Sequence, residues 1–422
     1  MSEEENTIAI VGAGHAGGEL AAGLRQVGHT GRIVLIGDEP YLPYQRPPLS
    51  KAYLSGKVTV EGLYLRPAST YEAANIETIT GVRVEHIDRV AKRLVLSDGR
   101  DIFYQKLALA TGGRARRLQV ERAEEAHRAS NHHYVRTIAD VDRLRPQFEP
   151  GMRIVIVGGG YVGLEVASVA ICRGLSVTVL EGMSRVLARV AAPEISAFYE
   201  GVHRQAGVDL RTGVTVRGFK LDASGDAVEG VVCRDAEGRD FVQPADLVIV
   251  GVGQEPNVEL ARDAGLEVDN GILVDELCRT SNPDIVAIGD CTNHMNLALG
   301  RRIRLESVPN AVEQARTAAA TLCGKERPYN AIPWFWSDQY DLKLQMVGIS
   351  QGYDQSVTRG SMVARSFAVF YLLAGKVIAA DAVNRPVEFM VAKRLVGDGT
   401  MVSVSRLADE SVPLKNLLTP SA

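Results

Sequence analysis

The chain has 422 residues, with 47 Lys and Arg against 51 Asp and Glu for a formal net charge of −4, and 46% of its residues are hydrophobic. That length exceeds one ordinary domain and predicts two or three compact units, each able to bury a sizeable core. At this near-neutral charge nothing suggests a polyanion-binding surface, so no nucleic-acid partner is expected, while local basic clusters could still steer an acidic partner.

The first residues, Met1-Ser2-Glu3-Glu4-Glu5-Asn6, are acidic and lack the basic start and apolar stretch of a signal peptide. No apolar run approaches the ~20 residues needed to span a bilayer. A cytoplasmic protein without membrane contact is expected. The segment Thr7–Val11 then reads as a buried parallel strand, short and β-branched. It enters Gly12-Ala13-Gly14-His15-Ala16-Gly17, followed by a predicted helix from Gly18 to Val27 that Gly28 ends. A second apolar run, Ile33–Ile36, leads to Gly37-Asp38-Glu39.

The same order returns later. Arg153–Val157 runs into Gly158-Gly159-Gly160-Tyr161-Val162-Gly163, a helix is predicted from Leu164 to about Cys172, and the strand Val177–Leu180 ends at Glu181. Glu19 and Glu165 occupy matching positions. Each half continues through short alternating segments into an apolar strand ending in glycines, Leu107–Gly113 and Leu247–Gly253. Two related nucleotide-binding modules are the simplest account.

A lone GxGxxG is weak evidence, but here each copy follows a strand, opens a helix and precedes a second strand that leads to an acid. The first glycine (Gly12, Gly158) permits the tight turn, the second (Gly14, Gly160) lets backbone approach a pyrophosphate, and the third (Gly17, Gly163) allows close helix–strand packing. The helix N-terminus offers unpaired N–H groups and positive dipole charge to the phosphates. Asp38 and Glu181 stand where an acid accepts from ribose hydroxyls. A carboxylate at 181 repels a 2′-phosphate and favours NADH over NADPH, although Arg185 lies close by in sequence.

These motifs together resemble the FAD-dependent pyridine nucleotide-disulfide reductase superfamily over nearly the whole chain. Gly289-Asp290 and Gly253-Gln254-Glu255-Pro256-Asn257 match its late FAD segments. Arg46-Pro47-Pro48-Leu49-Ser50-Lys51, Leu305–Ala311 and Pro333-Trp334-Phe335-Trp336-Ser337-Asp338-Gln339 resemble the ferredoxin reductases of bacterial oxygenase systems. The resemblance implies an α/β fold like that of glutathione reductase. Two Rossmann-like domains would be joined by a C-terminal α+β interface domain at 329–422. The FAD domain would be discontinuous (1–115 and 246–328), with the NAD domain (116–245) inserted. It implies FAD contacts from Ala16, Asp38, Lys51, Val84, Arg136, Asp290 and Val308, with Trp336 near the flavin's exposed edge, and places Gly253 at the NAD site.

Hydride transfer needs nicotinamide stacked on flavin and the developing negative charge stabilised. The helix predicted from Pro309 to Cys323 would aim its positive end at that charge if Val308 lies beside the pyrimidine edge. In the resembling family the Lys matching Lys51 lies near the flavin's reactive nitrogen and pairs with the Glu matching Glu165. Lys51 and Glu165 are therefore the candidate catalytic residues.

Cysteine usage is informative in the other direction. Cys172, Cys233, Cys278, Cys291 and Cys323 form no CxxC pair and no metal-ligand spacing, so reduced structural thiols are expected and no metal. Disulfide reductases carry a redox Cys pair on the helix after the first βαβ unit, whereas Tyr41–Leu54 contains none. The electrons would then pass singly to an external acceptor, an acidic [2Fe–2S] ferredoxin docking transiently and feeding an oxygenase. Arg66, Arg114, Arg116, Arg117, Arg301, Arg302, Arg304 and Arg316 are candidates for steering it. A rubredoxin reductase, or a redox-sensing flavoprotein of the apoptosis-inducing-factor type, are the alternatives. A monomer fits this reductase group, with a dimer left open.

Overall fold

A computed structural model describes residues 6–297 and 299–418. By contact, the chain groups into two compact units. The first comprises Met1–Arg46, Thr59–Arg114 and Glu255–Pro333; the second comprises Pro47–Val58, Ala115–Gln254 and Trp334–Ala422.

The first unit is built on a five-stranded parallel sheet in the order Ile285–Ala287, Lys106–Leu109, Ile8–Val11, Ile33–Ile36, Ile76–Ile79. The central strands are near-continuous Val, Ile, Leu and Ala because both faces are covered. On one face pack the helices His15–Gln26 and Val308–Leu322, which bury Leu20, Ala21, Leu24, Ala311, Ala315, Ala318 and Ala319. On the other lies an antiparallel sheet of Val84–Asp88, Arg93–Leu96 and Asp101–Phe103, which contributes Val84, Ile87, Leu94 and Ile102 to the core.

The second unit repeats the plan. Its parallel sheet runs Asp209–Thr212, Ser176–Glu181, Arg153–Val157, Leu247–Val250, His132–His133, and its antiparallel excursion is Thr215–Leu221, Val228–Arg234, Asp240–Pro244. The same unit holds a five-stranded antiparallel sheet in the order Trp334–Gln339, Leu342–Gly348, Lys376–Val383, Ser366–Leu373, Gln355–Ser361, with the helix Pro386–Asp398 against it. Each half thus carries a Rossmann-like βαβ core.

Both glycine-loop helices begin three residues earlier than predicted, at His15 and Tyr161, each with a glycine as N-cap. The helix predicted from Pro309 runs Val308–Leu322. Contact grouping also cuts the chain differently from the three-domain division expected from sequence. Pro47–Val58 goes with the second unit because Tyr53 donates to Asp142 at 2.7 Å and Ser50 donates to Glu165 at 2.5 Å. The expected division follows cofactors rather than contacts and returns below as a proposal. All five cysteines are free; Cys233, Cys278 and Cys291 are buried, whereas Cys172 is exposed.

Candidate functional site: two glycine cradles and a buried ion pair

In the first unit, Gly12 has φ +112°, and a Cβ there would lie 2.1 Å from the Ala110 carbonyl oxygen. At Gly17 it would lie 2.0 Å from the Gly12 carbonyl oxygen, so both positions exclude any side chain. A Cβ at Gly14 meets nothing within 4 Å. The helix that starts here has no side-chain cap and no acid in its first turn, so its N–H groups face open space. The buried Nδ1 of His15 has no hydrogen-bond partner among the described residues. Such an open, donor-rich turn beside an orphaned imidazole nitrogen fits a dinucleotide phosphate.

The second unit reproduces these distances. Gly158 (φ +108°) would place a Cβ 2.5 Å from the Gly251 carbonyl oxygen, and Gly163 would place one 2.1 Å from that of Gly158. Gly160 again meets nothing within 4 Å. The carboxylate of Glu181 accepts from the N–H of Gly159 at 2.7 Å and of Met183 at 2.8 Å, which ties it to the rim of the loop. Gly253 (φ +99°) accepts the Arg116 N–H through its carbonyl at 3.0 Å.

Arg185 is not a free phosphate ligand, since its guanidinium donates to the Ala188 and Ala191 carbonyls and to Ser196. Replacing Glu181 by Ala is therefore expected to weaken NADH binding by about ten- to a hundredfold, the effect of losing a hydrogen bond to a charged group. NADPH should then compete better relative to NADH. Titrations of both nucleotides check this, and unchanged constants for both would remove the role.

Asp38 and Glu181 are not equivalent in register. Val157 pairs with Leu180, so Glu181 follows the last paired residue directly; Val11 pairs with Ile36, which puts Gly37 there and Asp38 one place later. A Cβ at Gly37 would lie 2.6 Å from that of Ala13, so no side chain fits at the first place. Asp38 is largely exposed and pairs with Arg83 at 3.4 Å. The more enclosed acid is Glu39, held by Arg46 at 2.6 Å and Tyr44 at 2.6 Å.

The remaining first-unit candidates fall in place around the same sheet. Ala16 is buried in the first turn of the helix, Val84 opens the antiparallel excursion, and Asp290 sits in a short 3-10 turn, Gly289–Cys291. Gln314, wholly buried, accepts the Gly289 N–H at 2.7 Å and so fixes that turn to the helix Val308–Leu322. The helix is capped by Ser307, whose side chain accepts from Asn310, while Pro309 has no N–H. That leaves the Val308 N–H as the one donor of the first three helical positions without a partner among the described residues.

In the second unit, Lys51 Nζ lies 2.6 Å from Glu165 Oε2, with side-chain exposures of 18% and 3%. Ser50 donates to the same oxygen at 2.5 Å, and Ser337 donates to Oε1 at 2.6 Å. Burial pushes the Glu165 carboxyl above its ordinary value; the Lys51 charge and the two hydroxyls pull the other way. The matching acid of the first unit, Glu19, instead pairs bidentately with Arg66. Arg136 donates its backbone N–H to Asp140 just before the helix Ile138–Leu144. Trp336 is half-buried, 5.7 Å from Trp334, whose ring carries Lys393 Nζ at 5.0 Å.

Sequence reasoning missed Ser50 and Ser337 as partners of Glu165. The candidate steering arginines differ in their surroundings. Arg66, Arg114, Arg304 and Arg316 form ion pairs with Glu19, Glu259, Glu306 and Glu313, and Arg302 donates to two backbone carbonyls. Arg117 is exposed and makes no ion pair among the described residues.

The model of the pyridine nucleotide-disulphide oxidoreductase family matches residues 6–315. The chain belongs to that family. A reductase C-terminal model matches residues 334–418. The chain is 49% identical over 418 residues to putidaredoxin reductase CamA of Pseudomonas putida, covering 99% of this chain and 98% of that one. Its fold matches the solved covalent putidaredoxin reductase–putidaredoxin complex with TM-score 0.92 at 49% identity over 98% of each chain. It also matches the ferredoxin reductase for the CYP199A2 system from Rhodopseudomonas palustris, with TM-score 0.93 at 43% identity over 98% and 100% of the two chains. As a member of this family the chain is an oxidoreductase that uses FAD and NAD(H). Among the described residues, no helix is long and apolar enough to cross a membrane, and no group of three or more His, Cys, Asp or Glu could hold a metal ion.

Proposed function

We propose that the chain is an NADH-dependent ferredoxin reductase that passes single electrons to an acidic [2Fe–2S] ferredoxin serving an oxygenase, in the cytoplasm. The observation that carries this reading is the pair of glycine cradles on one chain, with no cysteine between Tyr41 and Leu54 to relay electrons as a thiol. Likeness over the full length to a putidaredoxin reductase, a relative solved in complex with putidaredoxin, supports the choice of acceptor.

Residues 1–115 and 246–328 would hold FAD, 116–245 would hold NADH, and 329–422 would form the interface domain. Bound FAD supplies the conversion of a two-electron hydride into two one-electron transfers. Around it, the turn at Gly12 would bring the N–H groups of Gly14, Ala16 and Gly17 to the pyrophosphate, and Asp38 would accept from ribose. Asp290 would bond the ribityl chain, and the Val308 N–H would face the pyrimidine edge. Val84, Arg136 and Trp336 complete the assigned contacts. Gly158, Gly160, Gly163, Glu181 and Gly253 would hold the nicotinamide dinucleotide. Lys51, held in place by Glu165, would orient the nicotinamide and stabilise negative charge gained on reduction.

Stopped-flow mixing with NADH should bleach the flavin, and adding an oxidised [2Fe–2S] ferredoxin should return the yellow colour far faster than oxygen does. Reoxidation that neither a ferredoxin nor a rubredoxin accelerates would overturn the carrier role.

A further inference from the structure

Behind the Lys51–Glu165 pair, the second unit contains a line of buried polar side chains drawn from three elements. Ser337 and Gln339 project from the strand Trp334–Gln339, His203 comes from the helix Pro193–Gln205, and Tyr340 lies in the turn that follows the strand. Ser337, Gln339 and His203 are 0%, 1% and 0% exposed, while Tyr340 reaches the half-buried margin. Gln339 Nε2 lies 3.2 Å from Ser337 Oγ, Gln339 Oε1 lies 2.8 Å from His203 Nε2, and His203 Nδ1 lies 2.9 Å from the Tyr340 hydroxyl.

The direction of every bond follows from the carboxylate. Ser337 has one proton and gives it to Glu165 Oε1, so it must accept from the Gln339 amide N–H. That turns the Gln339 carbonyl toward His203 and fixes the proton on Nε2. Nδ1 is then an acceptor, and Tyr340 donates to it. Four donors thus point one way, toward a buried anion. Bonds aligned in this manner polarise one another in a low-dielectric interior. An amide in the middle of the line cannot pass a proton on without becoming an imidic acid, so the array fixes charge rather than conducting protons.

We propose that Ser337, Gln339, His203 and Tyr340 form a polarised hydrogen-bond relay that holds Glu165 ionised and thereby positions the Lys51 ammonium for flavin reduction. The proposal rests on the reductase reading above and adds positioning residues to it. The titratable groups that face Glu165 are Lys51, Tyr161 on its own helix and Tyr199 on the helix Pro193–Gln205, with Asp381 acting on both tyrosines; Cys172 faces Tyr340. Burial keeps the His203 imidazole below its ordinary value, which suits a neutral ring serving as donor and acceptor at once.

The test is the pH dependence of flavin reduction by NADH in the FAD-loaded enzyme. Ser337→Ala and His203→Leu should move the acidic limb of the reduction rate upward, by about one pH unit for Ser337→Ala, which removes a bond to the charge itself. His203→Leu should move it less. Ser337→Thr and His203→Gln, which keep a hydroxyl and an Nε2–H donor, should restore the limb. Flavin content and Tm are read alongside, because a merely structural role would alter these and leave the limb in place. A wild-type enzyme that NADH does not reduce would refute the reductase reading; a wild-type enzyme that is reduced, with variants sharing its pH limb, would refute the relay.

Discussion

Replacing Lys51 by Met is expected to slow flavin reduction by NADH by about ten- to a hundredfold, the rate equivalent of the roughly 1.5–3 kcal/mol that a hydrogen bond to a charged group contributes. The stability consequence is separable. The ammonium is 2.6 Å from a carboxylate that is 3% exposed, and removing one partner of such a pair leaves the other charge buried. The loss should be on the order of 2 kcal/mol, below the figure for a wholly buried pair because Lys51 is 18% exposed.

Glu165 already has a folded-state pKa above its unfolded value, and losing Lys51 raises it further. A carboxyl shifted in that direction binds more protons when folded than when unfolded, so stability falls as pH rises from the unfolded pKa to the folded one. The Tm deficit of Lys51→Met should accordingly be larger at alkaline than at mildly acidic pH. Adding Glu165→Gln should recover stability, because no unpaired charge remains, without recovering the rate. Recovery of both together would show that the pair is structural only, and a wild-type rate in Lys51→Met alone would remove its catalytic role.

The Lys51–Glu165 pair was legible only through the family resemblance, since nothing in the spacing joins positions 51 and 165. The glycine loops were readable because each glycine answers a local demand: Gly12 and Gly158 turn at positive φ against a neighbouring strand's carbonyl, and Gly17 and Gly163 let a helix close on the loop. Even there, the helix starts were misplaced by three residues, since the open first turn carries no Ser, Thr or Asp to mark it. The offset between Asp38 and Glu181 stands in the sequence, but its cause, the close approach of Gly37 to Ala13, is a tertiary contact that spacing cannot show. The relay was out of reach for the same reason. Its members stand at 165, 203 and 337–340, and only folding gathers them. In the C-terminal sheet the strands Leu342–Gly348, Ser366–Leu373 and Lys376–Val383 are rich in buried apolar residues, but the outer strand Gln355–Ser361 is mostly polar and buries little beyond Val357 and Arg359. Edge strands of that kind carry almost no hydrophobic alternation to read.

Gly160→Val should give the largest and most selective loss of function. Gly160 adopts φ −81° and ψ −178°, extended backbone open to any residue, and a Cβ there meets nothing within 4 Å. The fold should therefore tolerate valine, while its methyl groups would occupy the space into which a pyrophosphate must come. Because Gly12, Gly14 and Gly17 are untouched, the purified variant should remain yellow with FAD and be reducible by dithionite. Its NADH-dependent reduction should fall by about a hundredfold or more, the equivalent of losing roughly 2.7 kcal/mol of binding. Gly163→Val should behave differently, since its Cβ would sit 2.1 Å from a backbone oxygen and the loop itself must move; lost stability would accompany lost activity. The mirror experiment, Gly14→Val, should yield a colourless protein that gains no flavin on reconstitution. If Gly160→Val instead bound NADH as the parent does, or lost its FAD, the assignment of one cradle to each dinucleotide would be wrong, because the two loops differ in sequence context but not in the steric demands they place on a phosphate.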